Sequence, residues 1–231
     1  MVVSGQLASK MSHLKSRWSL MRKVQGCLLI FLILATAVPV SAESAKTSPD
    51  AAKALTVQPE DRILGKPEAP ITIIEYESLT CPHCAKFAVS VLPKLREKWI
   101  ENGKAKLVMR DYPLDERAMR AAMVTRCAPP DRYYPLTEMF FAQAEEWVRA
   151  SDYRALLEGL AKLGGMSSNQ FAACITDKKL EDQVAQSRLT ASQQLGVQAT
   201  PTFFINGEKF DGELTVEAFD HILSELATKR E

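Results

Sequence analysis

A cysteine pair, Cys81-Pro82-His83-Cys84, falls where a segment patterned as a strand runs into one patterned as a helix. Upstream, Gly65-Lys66-Pro67-Glu68-Ala69-Pro70 is rich in turn formers. Ile71-Thr72-Ile73-Ile74-Glu75-Tyr76 then reads as a buried strand, β-branched and nearly continuous. Downstream, Pro82 has the fixed φ favoured in a first helical turn. Phe87, Val91, Leu95 and Trp99 recur at four-residue spacing, and Pro93 inside that pattern predicts a kink. Asn102-Gly103 ends the helix and Ala105 to Met109 forms the next strand. Strand, helix and strand at this length make a βαβ unit with parallel, adjacent strands.

From Asp115 to about Leu195 the character changes to four or five helical patterns with no convincing strand. Asp115 and Asp152 can each cap a helix, Gly164-Gly165 stops one, and Ser167 with Gln170 forms a capping box for the next. After Thr200-Pro201, Thr202-Phe203-Phe204-Ile205 is a strand, Asn206-Gly207 a two-residue hairpin turn, and Glu208 to Phe210 the returning strand. Thr215 to about Lys229 closes the chain as a helix. The expected architecture is α/β: residues 62–114 and 197–231 form one layered sheet domain, interrupted by an all-helical insert over 115–196.

What a cysteine pair can do depends on the redox compartment. Residues 1–42 hold five cations and no acid, then the apolar run Leu28 to Val38, then Val40-Ser41-Ala42. That is the form of a secretory signal peptide cleaved after Ala42, with Met1, Met11 or Met21 as its start. An uncleaved membrane anchor is the alternative, although about 11 apolar residues fall short of the roughly 20 a span needs. Of 29 basic and 28 acidic residues, removal of 1–42 takes five basic ones and leaves a net charge of −4. No basic face for a nucleic-acid partner is indicated. Residues 43–61 read as a flexible linker. Cys27 leaves with the signal, and the remaining Cys81, Cys84, Cys127 and Cys174 suggest two disulfides in an oxidising compartment.

Cys81 sits at the positive, hydrogen-bond-donating end of a helix, so its thiolate is stabilised and its pKa falls below the free value of about 8.5. His83 can add positive charge to the same anion. Cys84, three residues on, shares that helix face and is the less exposed sulfur. Cys81 is therefore the attacking atom and Cys84 the resolving thiol. Each tenfold gain in Cys81 acidity favours the dithiol over the disulfide by about 1.4 kcal/mol, roughly 30 mV toward oxidising strength. A zinc site would need two further ligands, yet Cys127 and Cys174 belong to no second CxxC, and only His83 and His221 follow the signal. No metal is expected.

Glu75 is an acid in a buried strand six residues before Cys81. It either moves the Cys84 proton or pairs with a cation such as Arg110. Pro201 precedes a strand, where it cannot donate to the ladder. A cis bond there would turn the Thr200 backbone toward the cysteines for a substrate strand to pair with, although local sequence alone favours a trans turn.

Strand, buried acid, CPHC helix, strand, helical insert, Thr-Pro, hairpin and helix together resemble the thioredoxin superfamily, specifically its DsbA branch of bacterial periplasmic oxidases. The resemblance covers about residues 62–229. It implies a thioredoxin-like fold with Cys81 as nucleophile, Cys84 as resolving cysteine, Glu75 as buried acid and Pro201 as cis-proline. It implies no cofactor beyond the redox-active disulfide, reduced exported proteins as substrates, and a membrane quinone-linked, DsbB-like partner for reoxidation. It also implies a second, non-catalytic disulfide in the insert between Cys127 and Cys174, worth about 3–4 kcal/mol in the entropy model. Two buried free cysteines are the alternative. Thr200 is a residue often found in isomerase relatives, so a disulfide isomerase or reductase of narrow range is a second reading. A non-catalytic, chaperone-like binding module is a third. With about 20 residues between Ala42 and the fold, a monomer is expected.

Overall fold

The computed structural model describes residues 49–229. The signal segment, its cleavage point, Cys27 and the first part of the linker lie outside the described residues. A five-stranded sheet runs in the order β1-β3-β2-β4-β5. Central β2 (Ile71–Glu77) pairs parallel with β3 (Ala105–Asp111) and antiparallel with β4 (Thr202–Ile205). β5 (Glu208–Asp211) folds back on β4 through Asn206-Gly207, both at positive φ as such a turn demands. A two-residue β1 (Ile63–Leu64), not foreseen from the sequence, edges β3. It leads into Gly65 at φ +101°, where a Cβ would sit 2.6 Å from the Ile100 side chain.

The odd-numbered face of β2 carries Ile71, Ile73, Glu75 and Glu77, as the two-residue side-chain period requires. It is covered by α2, the irregular helix that follows the cysteine motif. α2 is regular over Pro82–Lys86 and Leu92–Leu95 and widens to π turns over Phe87–Val91 and Arg96–Ile100. Pro93 has no N–H to donate back, and the helix accommodates it by widening. The closing helix α9 (Val216–Thr228), capped by Thr215, lies beside it. Phe87, Phe203 and Phe219 meet with ring centroids 4.9–5.7 Å apart, joining α2, β4 and α9 in one core.

The insert comprises α3 (Glu116–Cys127), a 3₁₀ turn (Pro130–Arg132), α4 (Tyr133–Ala142), α5 (Ala144–Arg149), α6 (Tyr153–Leu163), α7 (Ser168–Ile175) and α8 (Lys178–Gln194). Asp115, Asp152 and the Ser167–Gln170 box cap α3, α6 and α7, so capping chemistry written locally sets these boundaries. Cys127 and Cys174 are disulfide-bonded across 47 residues, tying α3 to α7. Phe140, Phe141 and Trp147 fill the insert, whereas Tyr133 and Tyr134 turn back into the core of the sheet.

The flexible linker expected over 43–61 is corrected where it is described. Pro49–Ala54 is a helix, α1, with Ala51 buried against the even-numbered face of the sheet. The reason is Arg110, buried on that face and in need of acceptors. It donates to the carbonyls of Ala54 and Thr56 at 2.5 and 2.7 Å and to Asp61 at 2.6 Å. A cation buried this way is costly unless paired, and the segment supplies the pairing. Among the described residues no helix is long and apolar enough to cross a membrane.

Candidate active site

Cys81 is the N-cap of α2, with extended backbone angles and Pro82 as the first helical residue. The side chain at this position faces the N–H groups of the second and third helical residues, here His83 and Cys84. Both cysteines are free thiols, 4% and 0% exposed respectively, so Cys84 is the more deeply sealed. The Cys81 thiol donates to the Thr200 carbonyl at 3.2 Å, and the Thr200–Pro201 peptide bond is cis. Residues 78–84 are held to the insert as well. Thr80 donates to Asp115 at 2.8 Å while the other Asp115 oxygen caps α3.

The two sulfurs ionise very differently. Cys81 is lowered from 9.0 to about 5. The largest cause is the hydrogen bond from Cys84. Burial opposes it, and Thr200 and the N–H groups of Cys84 and His83 add to it. Burial pushes Cys84 well above the ordinary thiol range, helped by the bond it gives Cys81 and by the nearby acids Glu75 and Glu77. Near neutral pH the pair is one thiolate and one thiol, the form that attacks disulfides.

His83 does not serve Cys81 in the expected way. Its Nδ1 pairs with Glu213, which also accepts from Lys86 at 2.5 Å, both on the exposed rim. What His83 gives the thiolate is its backbone N–H.

Glu75 is fully buried between Met109 of β3 and Phe203 of β4. Neither carboxyl oxygen has a hydrogen-bond partner, and Arg110, the cation considered for it, lies on the other face with Asp61. Burial and the Cys81 charge raise the Glu75 pKa well above the carboxylate range. An acid with no structural partner near Cys84 is placed to hold a proton for it. Glu77, Asp111 and Arg126 share this buried face and were not singled out from the sequence. The signal available was Glu77 itself, in phase with Glu75 on the strand. Among the described residues no group of three or more His, Cys, Asp or Glu is placed to hold a metal.

A thioredoxin family model matches residues 57–225. The chain belongs to the thioredoxin family. The solved structure of Wolbachia pipientis alpha-DsbA1 is 35% identical, with a TM-score of 0.73 over 78% of this chain and 96% of that one. The chain is thereby a DsbA-like member of the thioredoxin family. Chlamydia trachomatis DsbA, 20% identical with a TM-score of 0.67 over 75% of this chain and 94% of that one, shares the fold. A Rickettsia typhi protein named for protein-disulfide oxidoreductase activity is 29% identical over 167 residues, 71% of this chain. The match spans 62% of that relative's own length.

Proposed function

We propose that this DsbA-like chain is a thiol–disulfide oxidoreductase that introduces disulfide bonds into exported proteins. The observation that carries the reading is the Cys81 thiolate at the head of α2, held near pKa 5. Everything that stabilises this thiolate favours the dithiol, and so makes the disulfide form a donor. A substrate thiolate attacks Cys81 Sγ, the Cys81–Cys84 bond breaks, and Cys84 leaves and takes a proton. A second substrate thiolate then attacks the substrate sulfur of the mixed disulfide and expels Cys81 as a thiolate. Two electrons pass from the substrate to the Cys81–Cys84 pair, which is thereby reduced to the dithiol. The backbone at Thr200-Pro201, beside Cys81, would pair with the substrate strand while Cys81 is attacked.

The basic, apolar and small-residue pattern over 1–42 supports export to the periplasm. In this reading the chain works there as a monomer, and a membrane quinone-linked, DsbB-like protein restores the disulfide. Rickettsial relatives named as protein-disulfide oxidoreductases support the same chemistry. Isomerase or reductase work on a narrow substrate set is the second reading, favoured by Thr200 before Pro201. Replacing Cys81→Ser is expected to abolish oxidative refolding of a reduced, disulfide-containing substrate. Retained activity would contradict the proposal.

A further inference from the structure

Beneath the cysteine pair lies a row of buried carboxyls that one partner, Glu75, does not account for. Glu77 is 2% exposed and stands in register with Asp111 on β3, itself 3% exposed. Arg126 reaches in from α3, donating to Asp111 at 2.7 Å and to the Met109 carbonyl at 3.1 Å. One guanidinium thus serves Asp111 and Glu77, and Glu75 has none. Both oxygens of Glu75, one of Glu77, one of Asp111 and the hydroxyl of Tyr133 are buried without a hydrogen-bond partner. Buried polar atoms are ordinarily satisfied, because leaving one unpaired costs about 1–3 kcal/mol. Five such atoms together call for a function. The row also has two ends. Glu75 and Glu77 both act electrostatically on Cys84. At the far end, Asp111 and Arg126 line a cleft of about 730 Å³ bordered by α1, α8 and the C-terminal end of β3.

We infer that Glu77 is a second proton carrier, passing the Cys84 proton between Glu75 and the cleft bordered by Asp111 and Arg126. Glu75 is sealed from solvent, so each turnover needs a route to reset it. When Cys84 resolves a mixed disulfide, its sulfur bonds to Cys81, the Cys81–partner bond breaks, and the partner leaves as a thiolate. The Cys84 proton goes to a Glu75 carboxylate that has already handed its own proton through Glu77 to the cleft. In the opposite direction Glu75 protonates the departing Cys84 and is refilled from Glu77. The charged and titratable groups facing Glu77 are Glu75 on its own strand, Asp111 on β3, Arg126 on α3, Tyr133 on α4, and Cys81 and Cys84 on α2. Asp111 is engaged by the Arg126 guanidinium at 2.7 Å, which leaves the two glutamates to share a mobile proton. Glu77 acts through Glu75 and touches neither sulfur in this scheme.

The inference rests on the thiol–disulfide exchange proposed above, and stopped-flow reaction of the reduced protein with oxidised glutathione separates the two. Mixed-disulfide formation at Cys81 reads the exchange reading. Resolution by Cys84, followed from about pH 5 to about pH 9, reads the relay. Glu77→Gln is expected to leave the first step within about twofold and slow the second by about tenfold or more near neutrality, with Glu77→Asp recovering part of the loss. Glu77→Leu removes the carboxyl without leaving an amide to satisfy, and is expected to give the same result should the amide variant not fold. An unchanged second step, or both steps slowed in proportion, would overturn the relay. A first step absent from the unmodified protein would instead overturn the exchange reading.

Discussion

The thiol of Cys81 donates to the backbone carbonyl of Thr200, 119 residues further along the chain, at 3.2 Å. That carbonyl can accept only while Cys81 carries its proton. Once Cys81 ionises, the same oxygen offers the anion nothing. Stabilisation must then come from other donors, the Cys84 thiol most, followed by the Thr200 side chain and the N–H groups of Cys84 and His83. Removing it has a defined consequence. In Cys84→Ala the Cys81 titration, followed by thiolate absorbance, moves upward from about 5 but stays below 9.0, because the N–H groups of His83 and residue 84 remain. A midpoint that does not move would contradict this division of roles.

The same titration governs how stability depends on pH. The folded-state pKa of Cys81 is depressed, so its contribution to the reduced form is fully present above the unfolded value near 9.0 and is lost as pH falls through about 5. The disulfide form has no such group. Urea midpoints of the two forms, measured between those limits, are expected to diverge in favour of the reduced protein as pH rises. Parallel curves would contradict the thiolate assignment.

Glu75 combines a cost to the fold with a use in exchange. Replacing it by Leu removes a buried, unpartnered carboxyl and should raise stability by about 1–3 kcal/mol, read as a higher urea midpoint at unchanged m. Resolution by Cys84 should slow in the same variant, by about a hundredfold if Glu75 is the direct acceptor. Stabilisation without any loss of rate would leave Glu75 with no role.

The Cys127–Cys174 bond closes a long loop between α3 and α7. Changing both residues to Ala is expected to cost about 3–4 kcal/mol of stability. The Cys81 titration should remain near 5. A shifted titration would mean that the insert transmits strain to the site.

Much of this was legible because it is written locally. Cys81 before Pro82, the caps Asp115, Asp152 and Ser167, and the Asn206-Gly207 turn each announce their geometry within four residues. Glu75 stood out as a charge in an apolar strand. Features decided at a distance were not legible. Residues 49–61 look like a polar tether until Arg110 claims their carbonyls and Asp61 from about fifty residues away. The direction of the His83 side chain is set by Glu213, 130 positions on. Glu77 was passed over because the strand was ended at Tyr76, one residue before the alternation placed a second acid beside the first. Asp111 and Arg126 join it only through strand register and the approach of α3.

The central claim is that α2 holds Cys81 as a thiolate and so makes the disulfide form a donor. Equilibration of the Cys81–Cys84 couple with glutathione tests it most directly. A potential of about −180 mV or higher is predicted, in the range of strong disulfide donors. A value near about −270 mV, where thioredoxin-type reductants lie, would contradict the account.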